Sequence, residues 1–168
     1  MLKKDIKSFD KNVFDEIGNK AAILISGDKN GFNGMTISWG ALGVIWNKNV
    51  AFVFVRHSRY TYEFMEKSDS VTLSFLSDKY KKEKGIFGSL SGKNTDKFKE
   101  TNLHHTYDPD FDGYYITECD YVFKCKKLYS IDLENLPKDI NDKFYKDNDI
   151  HRMYVCEIKQ YLVKNTED

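Results

Sequence analysis

The chain lacks several features that would place it quickly in a class. Its 168 residues carry 26 Lys and Arg against 26 Asp and Glu, so the net charge is zero. The basic excess typical of nucleic-acid-binding proteins is therefore missing. No apolar run approaches the roughly 20 residues that a membrane-spanning helix needs, and the start, Met1–Asp5, lacks the apolar core of a signal peptide. We expect a cytoplasmic protein that contacts neither nucleic acid nor membrane.

Cysteine is scarce, and its spacing points to no chemistry. Cys119, Cys125 and Cys156 are odd in number and form no C-x-x-C pair, which argues against a disulfide framework and a thiol redox motif. Buried thiols in a reducing compartment are the better interpretation. The adjacent His104 and His105 would point apart on a strand, and no zinc-ligand spacing occurs. We therefore predict no metal site.

Signatures of nucleotide-binding and hydrolase folds are also missing. The chain has no G-x-G-x-x-G fingerprint, no P-loop and no G-x-S-x-G elbow. A nicotinamide cofactor therefore has no Rossmann module to hold it. If NADH or NADPH is used, it must visit the site transiently.

Alternating and β-branched segments indicate a mainly β (α+β) chain. We predict strands at residues 21–25, 35–45, 50–55, 70–76, 121–131 and 151–163. Helical pieces are predicted at 59–67, 79–87 and 96–101, with a helix or extended lead-in at 8–18 and an irregular or helical excursion at 136–145. This order favours one domain over residues 1–168, a closed or nearly closed antiparallel barrel with short peripheral helices.

A cluster of anion-binding groups follows the strand at 50–55. Arg56, Ser58, Arg59 and Thr61 supply positive charge and hydroxyl donors within six residues. The predicted helix begins there, so its first backbone N–H groups are free to face an anion. A phosphate-bearing ligand suits such a place. The plain alternative is that both arginines are the solvated ends of a strand and a helix.

Four segments of the chain resemble blocks of one protein family. Asn33–Trp39 reads NGMTISW, Arg56–Glu63 reads RHSRYTYE, Ser91–Phe98 reads SGKNTDKF and His151–Ile158 reads HRMYVCEI. In that order they resemble the flavin-contacting strand, the phosphate-binding turn, the S-G-K/R-x-x-D-K-F loop and the late strand of the flavin reductase family, including its flavoredoxin branch. The resemblance covers most of the chain. It implies a split β-barrel that binds FMN.

The resemblance also implies a set of cofactor-binding residues. Arg56, Ser58 and Thr61 would hold the phosphate, because guanidinium and hydroxyl groups make strong hydrogen bonds to phosphate oxygens. Trp39 would form a wall for the flavin ring, although core packing is the commoner role of a lone tryptophan. The implied cofactor-binding positions are Asn33, Met35, Thr36, Ile37, Ser38, Trp39, Arg56, Ser58, Tyr60, Thr61, Ser91, Gly92 and Lys93.

Two residues are implied as candidate catalytic groups. Lys93 could neutralise negative charge that develops near the flavin, and Lys97 is a second candidate. His151 could approach the ring and donate a hydrogen bond or tune the flavin potential. The alternatives are a solvated lysine on a lysine-rich surface and a strand-end histidine in solvent.

Three functions stay open at this point. The first is an FMN-dependent oxidoreductase that passes reducing equivalents from NADH or NADPH through the flavin to an acceptor. The second is a flavoredoxin-type electron carrier with bound FMN and little direct NAD(P)H activity, which could serve a redox protein partner. The third is a non-enzymatic flavin-binding module. Because family members bind the cofactor at a subunit interface, the resemblance implies a homodimer, with His151 and Tyr161 as candidates for groups shared across it.

Overall fold

The structure is a computed structural model that describes residues 1–165, so the last three residues of the predicted domain lie outside the described part. The strands are β1 Leu2–Lys4, β2 Ala22–Asp28, β3 Gly31–Ile37, β4 Gly40–Ile45, β5 Lys48–Arg56, β6 Ser70–Phe75, β7 His105–Asp108, β8 Gly113–Ile116, β9 Tyr121–Asp132 and β10 His151–Val163. The α-helices are α1 Tyr60–Lys67, α2 Lys81–Ser89 and α3 Lys138–Phe144.

Most of the strands form one antiparallel sheet in the order β3-β2-β6-β9-β10-β5-β4, and β1 pairs with the end of β10. The two edge strands, β3 and β4, are joined only by Ser38 and Trp39. Such a short link cannot cross an open sheet, so the sheet must curl until its edges approach each other. The edges do not pair within residues 1–165. The architecture is therefore the predicted split β-barrel with short peripheral helices.

The predicted continuous strand at 35–45 is wrong in one respect. The chain leaves β3 after Ile37, crosses the split and begins β4 at Gly40. β3 pairs with β2, whereas β4 pairs with β5. The alternation of side chains runs through both strands, so the pattern did not reveal the break. The crossing leaves Ser38 and Trp39 exposed at the split.

Other differences lie in the peripheral segments. The β7–β8 hairpin and β1 were not predicted, and both are short pairings with little alternation. Residues 96–101 form hydrogen-bonded turns rather than a helix. The lead-in contains a 3-10 turn at Ile6–Ser8 and a π-helical turn at Phe14–Asn19. The excursion at 136–145 is helical, as α3.

The apolar residues form two clusters, one on each side of the curled sheet. The cluster inside the barrel includes Val53, Phe123 and Tyr154, all at most 1% exposed. The second cluster packs Phe87 of α2 against the outside of the sheet. Met65 anchors α1 in the first cluster. These contacts place the N-terminus of α1 and the C-terminal end of α2 near the split.

Within residues 1–165, none of the helices combines the length and the apolar character needed to cross a membrane.

Candidate functional site

A cleft opens at the split between the barrel edges. Its volume is about 250 Å³, and we call it the Trp39 cleft. The residues that line it are Met35, Thr36, Ile37, Ser38, Trp39, Phe54, Arg56, Arg59 and His151. The cleft thus collects residues 35–39 of the predicted flavin-contacting strand together with His151 of β10 and Arg56 of β5, which face each other in the strand register.

Trp39 lies on the surface of the cleft rather than in the core. Trp39 is 43% exposed to solvent. The indole makes edge contact with the Phe144 ring at 5.5 Å between centroids and approaches the His151 imidazole at 5.0 Å. Core packing, the alternative interpretation of this tryptophan, is therefore wrong. An exposed indole beside a cleft leaves aromatic surface available to a planar ligand.

The other residues of the crossing segment present different groups. Met35 and Ile37 bury their side chains in the barrel core, at 5% and 4% exposed, so the groups that they can offer to the cleft are in the backbone. Thr36 Oγ1 donates a hydrogen bond to the Lys84 carbonyl oxygen at 2.6 Å. Ser38 is exposed and makes no side-chain hydrogen bond among the described residues.

His151 is held as a neutral imidazole. Burial and, secondarily, the positive charge of Arg56 lower its pKa to about 4, against a smaller opposing effect of Asp149. Its Nδ1 lies 2.8 Å from the Tyr145 hydroxyl oxygen. The second ring nitrogen remains for the cleft. The geometry therefore rejects the alternative of a strand-end histidine free in solvent.

Arg56 and Ser58, both predicted to hold the phosphate, are engaged by the segment that follows α3. The Arg56 guanidinium donates to the carbonyl oxygens of Asp149, at 2.7 Å, and Phe144, at 2.8 Å. The Asp149 carboxylate accepts from the Ser58 N–H at 3.0 Å and from the Ser58 hydroxyl at 2.6 Å. Arg56 also lies in the Trp39 cleft and does not line the cavity that contains Thr61.

A second cavity, of about 140 Å³, adjoins the Trp39 cleft through Arg59, and we call it the Lys97 cavity. It is lined by Asn33, Ser58, Arg59, Tyr60, Thr61, Ser89, Leu90, Ser91, Gly92 and Lys97. The N-terminus of α1 opens into it, and no side chain caps that end of the helix. Thr61 is buried, and its hydroxyl oxygen accepts a hydrogen bond from Asn33 Nδ2 at 2.8 Å.

Two cations, Lys97 and Arg59, lie at the Lys97 cavity and donate to backbone carbonyl oxygens. The Lys97 ammonium, in a residue that is 4% exposed, donates to the carbonyl oxygens of Gly34 at 2.8 Å and Phe87 at 3.1 Å. Arg59 donates to the same Phe87 oxygen at 3.2 Å and to the Gly88 oxygen at 2.8 Å. Within residues 1–165, no carboxylate lies within salt-bridge distance of either cation.

Burial and the charge of Arg59 lower the pKa of Lys97 to about 8, and burial lowers the pKa of Arg59 against a smaller opposing effect of the Asp149 charge. Buried charges are normally paired. Two cations that share one carbonyl oxygen give this cavity the chemistry that suits an anion.

The loop 91–94 closes the cavity by a close backbone approach. A Cβ atom at Gly92 would overlap Asn33 Oδ1 and lie 3.1 Å from the Tyr60 ring, so only glycine fits without displacement. Lys93 points away from the cavity: its ammonium pairs with Glu63 Oε1 at 2.9 Å, and its side chain is 61% exposed. The structure therefore groups Ser91 and Gly92 with Thr61 but separates Lys93 from them.

Sequence reasoning left several of these residues out of the site. Arg59 was part of the predicted anion-binding cluster and Lys97 was a second catalytic candidate, but neither was among the predicted cofactor-binding residues. A lysine-rich sequence does not show which of its cations will be buried. Tyr145 and Asp149 carried no local signal, because their contacts depend on a loop returning to β5. Tyr161, predicted as a group shared across an interface, is only 6% exposed inside the aromatic core. It is therefore not available for that role.

A family model described as the flavin reductase like domain matches residues 14–168. The chain belongs to this flavin reductase-like family. The four sequence blocks that suggested the family contribute both walls of the Trp39 cleft and the floor of the Lys97 cavity. A search of curated proteins found no match to the chain.

Solved structures share the fold of this flavin reductase-like chain. Flavoredoxin of Desulfovibrio vulgaris (Miyazaki F) matches with a TM-score of 0.71 at 19% identity, over 98% of this chain and 78% of that one. Flavoredoxin from Methanosarcina acetivorans gives 0.68 at 20% identity, over 87% and 69%. An FMN-binding domain of a flavin reductases-like enzyme from Shewanella baltica gives 0.67 at 15% identity, over 95% and 75%.

Proposed function

We propose that the chain, as a single flavin reductase-like unit over residues 1–168, binds FMN and acts as an oxidoreductase in the cytoplasm. The observation that carries this proposal is a pair of cations beside an open aromatic cleft, the buried Lys97 and the half-buried Arg59, neither of which has a carboxylate within salt-bridge distance in residues 1–165. The three described cysteines are free and buried, which suits a reducing compartment.

The residues present fit FMN in two parts. The Lys97 cavity, with its cations and the uncapped N-terminus of α1, suits a phosphate group. The adjoining Trp39 cleft suits a planar ring, since it offers an exposed indole and the backbone of the crossing segment. Arg59 lines both, so one ligand that carries a phosphate at the end of a ring system can occupy both.

The residues of the chain act on such a ligand by binding and orientation. Thr61, Ser91 and the cations hold the phosphate, and Trp39 excludes water from one side of the ring. His151, neutral at physiological pH, offers a hydrogen bond without adding charge. Bound FMN would supply the redox chemistry, taking reducing equivalents from NADH or NADPH and passing them to an acceptor.

One observation favours the carrier as a second candidate. The Trp39 cleft has a volume of about 250 Å³, and the Phe144 ring stands against Trp39 at its rim. A cleft of this size accommodates one ring system more readily than a flavin with a nicotinamide stacked on it. A flavoredoxin-type carrier with a redox protein as partner needs only the first ring.

A homodimer is part of the proposal. Phe52 and Phe54 alternate with core residues along β5, so they lie on the outer face of the sheet. In the strand register Phe54 is opposite Met153, and Met153 is opposite Ile131, which is 45% exposed. This apolar face continues to Arg56 and the Trp39 cleft. A second copy on the face would cover apolar surface and add a wall to the cleft.

The dimer is tested by sedimentation of the Ile131→Glu variant. We expect the wild-type chain to sediment as a dimer and this variant as a monomer. The matched control is Val44→Glu, an equal change at a residue that is 72% exposed on the opposite face of the sheet edge; it should remain dimeric. A monomeric wild type, or equal behaviour of the two variants, contradicts the assigned face.

The function is tested by titrating flavin-free protein with FMN and then adding NADH or NADPH without oxygen. Quenching of flavin fluorescence on binding, followed by rapid loss of the flavin colour on adding the nucleotide, supports the reductase. Tight binding with slow loss of colour supports the carrier. Failure to bind FMN removes the proposal, and with it the carrier and the flavin-binding module.

A further inference from the structure

A buried tyrosine from the segment after α3 contacts the histidine of the Trp39 cleft. Tyr145 is 3% exposed, and its hydroxyl oxygen lies 2.8 Å from His151 Nδ1. The two rings meet edge to face, at 5.6 Å between centroids and 82° between planes. The residue before Tyr145, Phe144 at the end of α3, packs its ring edge-on against Trp39, so the same segment also lines the rim of the cleft.

The direction of this hydrogen bond follows from its partners. Within residues 1–165 the Tyr145 hydroxyl has no other hydrogen-bond partner. Burial raises the pKa of Tyr145, so the hydroxyl keeps its proton. If Nδ1 carried a proton and donated it, the tyrosine proton would be buried without an acceptor, which is costly. The hydroxyl therefore donates to Nδ1, and the proton of the neutral imidazole lies on Nε2.

The charged groups around His151 support the neutral form. Arg56 is its register partner on β5, and the guanidinium lies 5.2 Å from the centre of the Tyr145 ring. The nearby acids are Asp149, which accepts hydrogen bonds from Ser58 and lies 3.7 Å from the Arg56 guanidinium, and Asp147, which lies 3.6 Å from the same guanidinium. A positive neighbour and a hydrogen bond donated to the ring nitrogen both disfavour a second proton on the imidazole.

We propose that Tyr145 is a positioning residue that fixes His151 as a neutral imidazole with its Nε2–H presented to the Trp39 cleft. The ligand group that such a histidine recognises is a hydrogen-bond acceptor, an oxygen or nitrogen on the edge of a planar ring. The part that concerns the ligand rests on the proposed FMN function. The part that concerns the imidazole does not.

The test uses ¹⁵N-labelled full-length chain without flavin, followed by NMR of the histidine side chains over a pH range. His151 is assigned by comparison with His151→Asn. In the wild type we expect Nε2–H at neutral pH. In Tyr145→Phe, which keeps the ring, the pKa of His151 should rise by about 0.5–1, because the lost hydrogen bond stabilised only the neutral form. Tyr107→Phe, which removes a hydroxyl from the separate β7–β8 hairpin, should leave His151 unchanged.

Two results overturn the proposal: a proton on Nδ1 in the wild type, or a His151 pKa in Tyr145→Phe equal to that of the wild type. The wild-type spectrum alone shows which ring nitrogen of His151 carries the proton, so the proposal is tested even if the Tyr145→Phe variant does not fold. FMN titration of the same samples separates the two proposals. If the His151 pKa shifts in Tyr145→Phe but the protein never binds FMN, the positioning role of Tyr145 stands and the proposed function fails. If the protein binds FMN tightly but the His151 pKa does not shift, the proposed function stands and the positioning role fails.

Discussion

Replacing Lys97 by methionine should change the proposed phosphate site and leave the proposed ring site unchanged. Methionine keeps the length and apolar character of the stem but removes the ammonium that donates to the carbonyl oxygens of Gly34 and Phe87. In the FMN complex the same ammonium would face phosphate oxygens. Riboflavin has the ring but no phosphate, so it should not detect the change.

The size of the effect follows from the buried charge. A hydrogen bond to a charged group contributes about 1.5–3 kcal/mol, and about 1.4 kcal/mol is a factor of ten in affinity. The Lys97→Met variant should therefore bind FMN about 10- to 150-fold more weakly. Lys99→Met is the matched control, because Lys99 lies in the same loop, is 82% exposed in its side chain and only approaches Asp96 at 3.7 Å. It should bind FMN like the wild type.

The Lys97→Met change should weaken FMN binding, but it should raise the free energy of unfolding of the flavin-free protein. The pKa of Lys97 falls from 10.5 to about 8 on folding, so between those values the folded state holds fewer protons than the unfolded chain. The charge therefore costs stability below pH 8, and stability rises with pH through that window. At about 1.4 kcal/mol for each pKa unit the limit is about 3 kcal/mol. We expect Lys97→Met without flavin to be up to about 2 kcal/mol more stable at pH 7, because the carbonyl that loses its donor costs at least about 1 kcal/mol.

The assay is a fluorescence titration of each variant with FMN and with riboflavin, together with thermal unfolding of the flavin-free proteins. The reasoning is refuted if Lys97→Met binds FMN within twofold of the wild type. It is also refuted if FMN and riboflavin weaken equally, since the ammonium would then act on the fold or the ring. A loss of stability in the flavin-free variant would contradict the account of an unneutralised charge.

Further outcomes are expected from pH and from nearby residues. FMN affinity should fall as pH rises through about 8, where Lys97 loses its proton, by at most about tenfold per pH unit, and titrations of Lys97→Met over pH 7–9.5 should be flat. Gly92→Ala should weaken FMN about tenfold in the same titration, because its Cβ overlaps a side-chain oxygen; Gly85→Ala, whose Cβ meets nothing within 4 Å, should not. Trp39→Ala should weaken FMN and riboflavin alike by about tenfold, whereas Trp46→Ala, at a residue that is 56% exposed, should leave both unchanged; equal losses in the two tryptophan variants would remove Trp39 from the ring site.

The strands could be predicted because their signals are local. The β-branched and aromatic run at 50–55 and the alternation at 151–163 appear in β5 and β10 with small changes of boundary. The break after Ile37 could not be predicted, because both sides of it obey the same period of two. Only the pairing of β3 with β2 and of β4 with β5 separates them, and pairing is a property of the closed sheet.

The same distinction explains the site. Trp39, Thr61 and Gly92 lie in short local motifs, and the structure places each beside one of the two cavities. By contrast, the Asp149 carboxylate reaches Ser58 across 91 residues of sequence, and nothing in the local pattern of either residue indicates that contact. The burial of Lys97 among carbonyl oxygens likewise depends on where α2 and β3 meet.

The visible absorption spectrum of the purified protein, with identification of the chromophore that acid releases, tests the central claim most directly. The account predicts a flavin spectrum, or its appearance on adding FMN, and release of FMN rather than riboflavin, since it assigns the phosphate to the Lys97 cavity. A colourless protein that also fails to take up added FMN would contradict the claim. Lys97 and Arg59 would then need a different anion.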